Sequence, residues 1–430
     1  MVTPERALRY GELAARAEGV AVRLPDAPDD VPVAVLLPKG WRQAVALLGV
    51  WRAGRVALPL DPDAPAARNR QIVERAGADL VLVAGACPDD LGALPLLDLD
   101  ALDAATPAGD GRGAGALRPA VVMYTSGSSG EPKGVTLSHR GLRHLVAVSL
   151  AHFGIGAGDV FLGLTGVHHD LALFDLLGAL SAGARLVLPD PARLRDPAHW
   201  LDLMAREGVT VWNSVPTWME MLLAHAERAR VALDPRLRVV ILGGDWIPRE
   251  LPARLRALLP DVALHSIGGP TETTVWNVWH AVGALDPAWP GVPYGRPTPN
   301  ARYHVLDHRR EDRPDLVPGE LWCSGVGLAL GYHRDPALTE ASFLPHPVTG
   351  ERLYRTGDLG RYHPDGTLEF LGRADHQVKI GGVRVELAEC EAALARHPGA
   401  AQAVVVASPA GPGRPPSLCA WVVPADARLA

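Results

Sequence analysis

Cysteine is scarce. The 430 residues hold four, Cys87, Cys323, Cys390 and Cys419, far apart and without CxxC or Cys/His ligand spacing. That excludes a disulfide framework and argues against a zinc site, so they are read as reduced, mostly buried small residues. Long apolar runs are missing too: no stretch approaches the roughly 18 consecutive apolar residues of a membrane span. Charge of one sign never accumulates. Lys and Arg number 42 against 48 Asp and Glu, a net charge of −6, with no basic block to follow a phosphate backbone, which disfavours nucleic-acid binding. The opening segment MVTPERALRYGELAARAE carries Glu5, Arg6, Arg9 and Glu12 where a signal peptide needs an apolar run, so the expected location is the cytoplasm. What is present, 48% hydrophobic and 21% charged residues, is the profile of a packed globular chain rather than a disordered one. At roughly 100–200 residues per domain it holds two to four units, large enough to fold without a staple.

Residues 31–60 read as strand, helix, strand: PVAVLLP, WRQAVALLGVWRAG with apolar positions at helical spacing, then RVALPLD. This is the βαβ unit of an α/β sheet. Short apolar runs bounded by turn signals recur at Leu80–Ala84, Ala120–Tyr124, Arg185–Pro189, Val209–Asn213 and Leu237–Gly243, with helical stretches between several of them. Such alternation predicts a mostly parallel, buried sheet. The Gly/Ala-rich segment Ala104–Leu117 reads as a surface connection. From about Pro293 the segments ARYHVLD, GELWCSG and GTLEFLG have β character, as in a smaller barrel-like lobe. A break follows Arg373–Asp375, where a basic hairpin and the helix LAECEAALARH begin a second, small unit. The expected domains are therefore 1–374 and 375–430.

Three loops carry chemistry. Tyr124-Thr-Ser-Gly-Ser-Ser-Gly-Glu-Pro-Lys133 follows a buried run, and its hydroxyls and glycines let the backbone approach a phosphate while Lys133 adds positive charge. Composition alone favours a mobile linker; the preceding strand and the single fixed lysine reverse that in favour of the phosphate loop. Ser266-Ile-Gly268-Gly269-Pro270-Thr271-Glu272 is a tight turn presenting a hydroxyl and a carboxylate, a pair suited to a phosphate and to Mg²⁺, which takes oxygen ligands. Tyr354-Arg-Thr-Gly357-Asp358-Leu, with Arg373 fifteen residues on, offers a carboxylate for a ribose diol and further donors.

With all three in this order, the chain resembles the adenylate-forming superfamily, and more closely the adenylation domains of nonribosomal peptide synthetases. The resemblance runs over nearly the whole chain: LRYGEL at 8–13, WRAGRVALPLDP at 51–62, YTSGSSGEPKGV at 124–135, GGPTE at 268–272, GELWCSGVGLALGY at 319–332, YRTGDL at 354–359 and GRADHQVKIGGVRVELAECE at 372–391. It implies two half-reactions in one site. An amino-acid carboxylate attacks the α-phosphate of Mg-ATP and releases pyrophosphate; the aminoacyl adenylate then passes to the phosphopantetheine thiol of a carrier protein. By this resemblance Thr125, Ser126, Gly127, Ser128, Ser129, Gly130 and Lys133 form the loop over the β- and γ-phosphates, Thr271 contacts the α-phosphate, and Glu272 holds Mg²⁺. Gly268, Gly269 and Pro270 shape the turn, Asp358 and Arg373 bind the ribose, and the small domain swivels at Asp375. Catalysis of this kind is positioning plus neutralisation of developing charge, assigned to Lys133, Thr271 and Glu272, with no protein nucleophile.

The resemblance also places the substrate pocket. Asp170 is implied as the partner of the substrate α-ammonium, and Leu171, Phe174, Asn213, Ile241, Gly243, Ile267, Val275 and Trp276 as the lining. Phe174 and Trp276 fill volume and Asn213 is the one neutral polar side chain of the set, so a small, weakly polar side chain is expected. The set resembles the cysteine-activating pockets of thiazoline-forming siderophore synthetases, except that Gly243 stands where serine is expected. That substitution is read as leaving more room, which brings S-methylcysteine into play, and serine stays open. His168 and His169 are adjacent and are expected to point apart, as neighbours on a helix do, with His169 beside the pocket. The chain stops before the family's last motif, a lysine that reaches back to the substrate, so slow turnover is expected of it alone; an interrupting methyltransferase domain and a cut chain are both open explanations. An MbtH-like helper is a further partner of the family. An acyl- or aryl-CoA ligase, against which Asp170 speaks, and a non-catalytic nucleotide- or carrier-binding fragment are the alternatives.

Overall fold

The computed structural model describes residues 1–85, 91, 94–102, 115–126, 131–285, 289, 291–374, 377–381, 383–408 and 417–425. The front of the chain supplies β1 (Pro32–Val35), β2 (Val56–Pro59), β3 (Leu80–Val83), β4 (Leu96–Asp98), β5 (Pro119–Thr125) and β6 (Lys133–Ser138). They lie in the order β6-β5-β2-β1-β3-β4, parallel except for the antiparallel β5/β6 pair. β1, β2 and β3 are buried at every position, which is why they read as unbroken apolar runs: helices cover both faces, so neither face needs polar residues.

The second sheet is formed by β7 (Val160–Gly163), β8 (Arg185–Val187), β9 (Val211–Ser214), β10 (Val239–Gly243), β11 (Ala263–Gly268), β12 (Val278–Ala281) and β13 (Arg296–Pro297). Its order is β13-β12-β11-β10-β9-β7-β8, parallel from β8 to β11 and antiparallel thereafter. The helices Leu171–Ser181 and His139–Phe153 pack together against this sheet and join both sheets into one apolar core. An antiparallel lobe follows, with β14 (Ala301–Leu306) and β15 (Gly319–Gly325). β16 (Gly331–Tyr332) then returns to the first sheet and pairs with β6. β17 (Phe343–Pro345), β18 (Arg352–Tyr362) and β19 (Leu368–Arg373) complete the lobe. The hairpin β20 (Gln377–Ile380) and β21 (Val383–Glu386), the helix Leu387–Ala395 and the pair β22 (Ala400–Ser408) and β23 (Ser417–Pro424) end the described chain.

The mostly parallel α/β core with a smaller β lobe is the expected one. Asp375, the expected hinge, and residues 104–114 of the expected connection lie outside the described residues, as does Cys87. The other three cysteines are free, but only Cys323 is buried; Cys390 is half-buried and Cys419 exposed on β23, against the expectation of mostly buried thiols. The reason is that among the described residues β23 pairs only with β22, which leaves side chains along it open to water. Among the described residues no helix is long and apolar enough to cross a membrane.

Candidate functional site

Lys133 opens β6 directly opposite Thr125 at the end of β5, so the ladder fixes these two residues beside one another. Gly127, Ser128, Ser129 and Gly130 lie outside the described residues; Ser126 is half-buried. At the base of the hairpin the hydroxyls of Tyr124 and Thr125 are buried without a protein partner, and such groups in a native fold call for a ligand or water. Lys133 Nζ lies 3.3 Å from Glu272 Oε1 and 3.4 Å from the Tyr332 hydroxyl, which itself donates to Glu272 Oε1 at 2.7 Å. Glu272 is fully buried, so its charge is met by this lysine and phenol rather than by water. Tyr332 belongs to β16, and only the return of that strand to β6 brings it here.

Glu272 is presented by the turn that follows β11. A Cβ on Gly268 would lie inside the ring of Tyr294, and Gly269 has φ +147°, so the turn accepts only glycine at both. Thr271–Thr273 form one short helical turn, after which Thr274 and Val275 are both left-handed, with φ +63° and +70°. A β-branched residue there costs on the order of 1–3 kcal/mol. The turn is held by Thr274 Oγ1 donating to Gly327 O at 2.6 Å and by Trp276 Nε1 donating to Ser149 Oγ at 3.2 Å.

Asp170 immediately precedes the helix Leu171–Ser181, and Thr271 Oγ1 donates to its Oδ2 at 2.6 Å. Burial pushes the Asp170 carboxyl above the usual carboxylate range, opposed by that hydrogen bond and by the positive charge of Lys379 on β20. The expected lining residues converge beside it. Leu171 and Phe174 come from the helix; Asn213 on β9 stands opposite Ile241 on β10, and Gly243 on β10 opposite Ile267 on β11. Val275 and Trp276 arrive from the strained turn, and Trp276 meets Phe174 edge-on at 4.8 Å. Leu171, Phe174, Ile241, Ile267, Val275 and Trp276 belong to one core cluster, and Asn213 is equally buried.

Two expectations are corrected. Gly243 does not leave extra room: a Cβ there would lie 2.5 Å from Ile267 Cγ1 and 2.8 Å from Ile267 O, because the isoleucine folds over the glycine. His168 and His169 do not point apart: they precede the helix in a turn and their rings lie 4.3 Å apart. Burial lowers the pKa of both, His169 to about 4, and His168 also lies 3.6 Å from Asp61.

Asp358 and Arg373 are register partners on β18 and β19, and the guanidinium donates to Asp358 Oδ1 at 2.6 Å. The Asp358 charge, added to burial, raises the pKa of Tyr294, the ring that covers Gly268. Four nearby side chains escaped the sequence reading: Tyr294, Tyr332, Lys39 and Asp175. Tyr332 ends a recognised motif and Asp175 lies four residues after Leu171, on the same helical face, so both carried a usable signal.

The model of the AMP-binding enzyme family matches residues 1–333. Pyochelin synthetase PchF of Pseudomonas aeruginosa is 44% identical over 367 residues, 85% of this chain and 20% of that protein. Phenyloxazoline synthase MbtB of a Mycobacterium species is 42% identical over 428 residues, 96% of this chain and 35% of that one. The chain thus spans about a fifth to a third of the length of these relatives. A crystal structure of the nonribosomal peptide synthetase FmoA3, in its alpha-methyl-L-serine-AMP bound form, superposes with a TM-score of 0.80 at 39% identity, covering 87% of this chain and 43% of that chain. With glycine turn, lysine hairpin and buried glutamate in place and more than three quarters of its length matched, the chain belongs to the AMP-binding enzyme family.

Proposed function

We propose that this chain activates an α-amino acid, with cysteine as the favoured substrate, as its aminoacyl adenylate for transfer to the phosphopantetheine thiol of a carrier protein. The observation that carries the reading is the 2.6 Å hydrogen bond from Thr271 to Asp170. It ties the anionic end of the pocket to the turn that presents Glu272, so a ligand whose ammonium meets Asp170 brings its carboxylate to the phosphate side. A cation at Asp170 also offsets the burial that now raises its pKa.

In the first step a carboxylate oxygen of the amino acid forms a bond to the α-phosphorus of ATP, and the bond to pyrophosphate breaks. Lys133 and the hairpin it opens neutralise the charge on the phosphates, and Asp358 with Arg373 orient the ribose. The buried hydroxyls of Tyr124 and Thr125 fit an oxyanion ligand, and the hard oxygens of Glu272 and Thr271 fit a divalent cation. Mg²⁺ held by Glu272 would withdraw charge from the phosphates. In the second step the carrier's thiol sulfur attacks the acyl carbon, AMP leaves with the bonding electrons, and the thiol proton goes to solvent. A rotation of residues 375–430 against residues 1–374 separates the steps. A relative named as a pyochelin synthetase, together with Asn213 in a small apolar pocket, supports cysteine, while a relative named as a phenyloxazoline synthase keeps serine open, because an oxazoline ring takes its oxygen from a β-hydroxyl.

The test is amino-acid-dependent exchange of pyrophosphate into ATP across the twenty amino acids and S-methylcysteine, with the Asp170→Asn variant alongside. Cysteine supports the fastest exchange, and the variant raises the amino-acid KM at least tenfold with the ATP KM unchanged. Equal exchange with 3-mercaptopropionate, which lacks the amine, would overturn the amino-acid reading in favour of an acyl ligase.

A further inference from the structure

Behind the pocket lies a polar group that the adenylation chemistry leaves unused. Asn213 Nδ2 donates to Asp175 Oδ1 at 2.9 Å and to Leu171 O at 3.2 Å, so the amide's donor end faces the helix Leu171–Ser181. Both partners are acceptors, which fixes the orientation of the amide: its oxygen must point away from them. That oxygen, Asn213 Oδ1, is buried and has no partner in the protein. An orphaned buried acceptor costs free energy unless a ligand supplies a donor.

Asp175 is itself almost fully buried, on the helical face it shares with Leu171. It lines a cavity with about 20 Å³ of room for water, whose wall also includes Lys39, Gln43, Gly163 and Val167. Lys39 Nζ donates to Thr165 O at 2.5 Å, and its ammonium is the charge that opposes the effect of burial on Asp175. Burial alone pushes Asp175 up and Lys39 down; each charge favours the other's ionised form.

The geometry points to Asp175, with Lys39 as its counter-charge, as a positioning residue that locks the Asn213 amide so that its carbonyl oxygen selects substrates whose side chain donates a hydrogen bond. This deepens the proposed function and rests on it: the substrate class becomes small α-amino acids with a thiol or hydroxyl on Cβ. A side chain of the same size without a donor leaves the oxygen unpaired, and a site built to bond a donor discriminates against such analogues.

The experiment uses the whole chain and non-hydrolysable sulfamoyl-adenosine analogues carrying cysteinyl, seryl, alanyl or 2-aminobutyryl groups, with AMP as the nucleotide control, by titration calorimetry. In the unaltered protein the cysteinyl analogue binds at least tenfold more tightly than the equally large 2-aminobutyryl analogue. The Lys39→Met/Asp175→Leu double variant removes both charges together, the change a buried pair tolerates best. In it the ratio falls below about threefold while AMP affinity holds. Asp175→Asn, which keeps an acceptor for Asn213, restores most of the ratio. A merely structural role would weaken all four analogues alike and lower thermal stability without altering the ratio, and that result overturns the inference. Preference for 2-aminobutyryl in the unaltered protein overturns it as well but leaves aminoacyl adenylation standing. Failure of every aminoacyl analogue to bind better than AMP sinks the amino-acid reading itself, and this inference with it.

Discussion

Replacing Gly243 by serine puts the residue expected from cysteine-type pockets into this pocket, and the structure says that it does not fit. The new Cβ would lie 2.5 Å from Ile267 Cγ1, 2.8 Å from Ile267 O and 2.9 Å from Ile267 Cδ1. Two of these atoms belong to a side chain that can rotate; the third is backbone of β11, held opposite Gly243 in the parallel ladder. Rotation alone therefore cannot clear the overlap, and either the β10/β11 pair opens or Ile267 is driven into the pocket. Overpacking of this kind costs about 1–3 kcal/mol, and the backbone clash places this case in the upper half. The assay is urea unfolding paired with amino-acid KM measurements. Gly243→Ser lowers the midpoint and raises the KM; Ile267→Val, which removes Cδ1, recovers part of both, so the double variant is more stable than additivity predicts by about 1 kcal/mol. An unfolding midpoint and KM unchanged by Gly243→Ser would refute the packing argument and return the spare volume to the substrate.

Glu272→Gln leaves Lys133 beside a neutral partner in a buried site; on the order of 3 kcal/mol of stability is lost and exchange activity drops at least a hundredfold, checked by calorimetric melting and pyrophosphate exchange. Asp358→Asn removes the carboxylate that Arg373 pairs with, so the ATP KM rises about tenfold and the preference for ATP over its 2′,3′-dideoxy analogue shrinks; an unaltered preference would remove Asp358 from the ribose site. Burial lowers the pKa of His169 and His265 to about 4, while the unfolded chain takes up these protons near pH 6.5. Between those values the unfolded state binds more protons, so stability falls as the pH falls from about 6.5 towards 4. His265→Gln should flatten that slope relative to the unaltered protein, and identical slopes in urea titrations at pH 6.5 and 4.5 would contradict it.

In the two large sheets β1, β2, β3, β5, β8, β9 and β10 were legible because burial leaves short unbroken apolar runs, whereas β4, β6 and β7 were not read: the runs at Leu80–Ala84 and Leu237–Gly243 became β3 and β10 with their ends moved by only one or two residues. The glycines of the turn before Glu272 were legible for an equally local reason, a backbone path that admits no side chain. Three features were not. The space at Gly243 depends on which residue faces it across the ladder, and nothing local announces Ile267. The two histidines were assigned helical directions, but the helix begins only at Leu171, and in the preceding turn adjacent rings can meet. Tyr332 lies 199 residues from Lys133, and their approach depends on one short strand returning to the first sheet.

The sequence by itself determined the α/β class, the loop that ends at Lys133, the glycine turn before Glu272 and the family, because each depends on periodicity or on backbone paths within a few residues. Tertiary structure alone decided which polar groups answer one another: Lys133 with Glu272 and Tyr332, Asp170 with Thr271, and Asn213 with Asp175. The physical reason is range. A side chain's conformational preferences are set by its neighbours in sequence, whereas its desolvation and its partners are set by strand order and register, which here bring together residues from 38 to 199 positions apart.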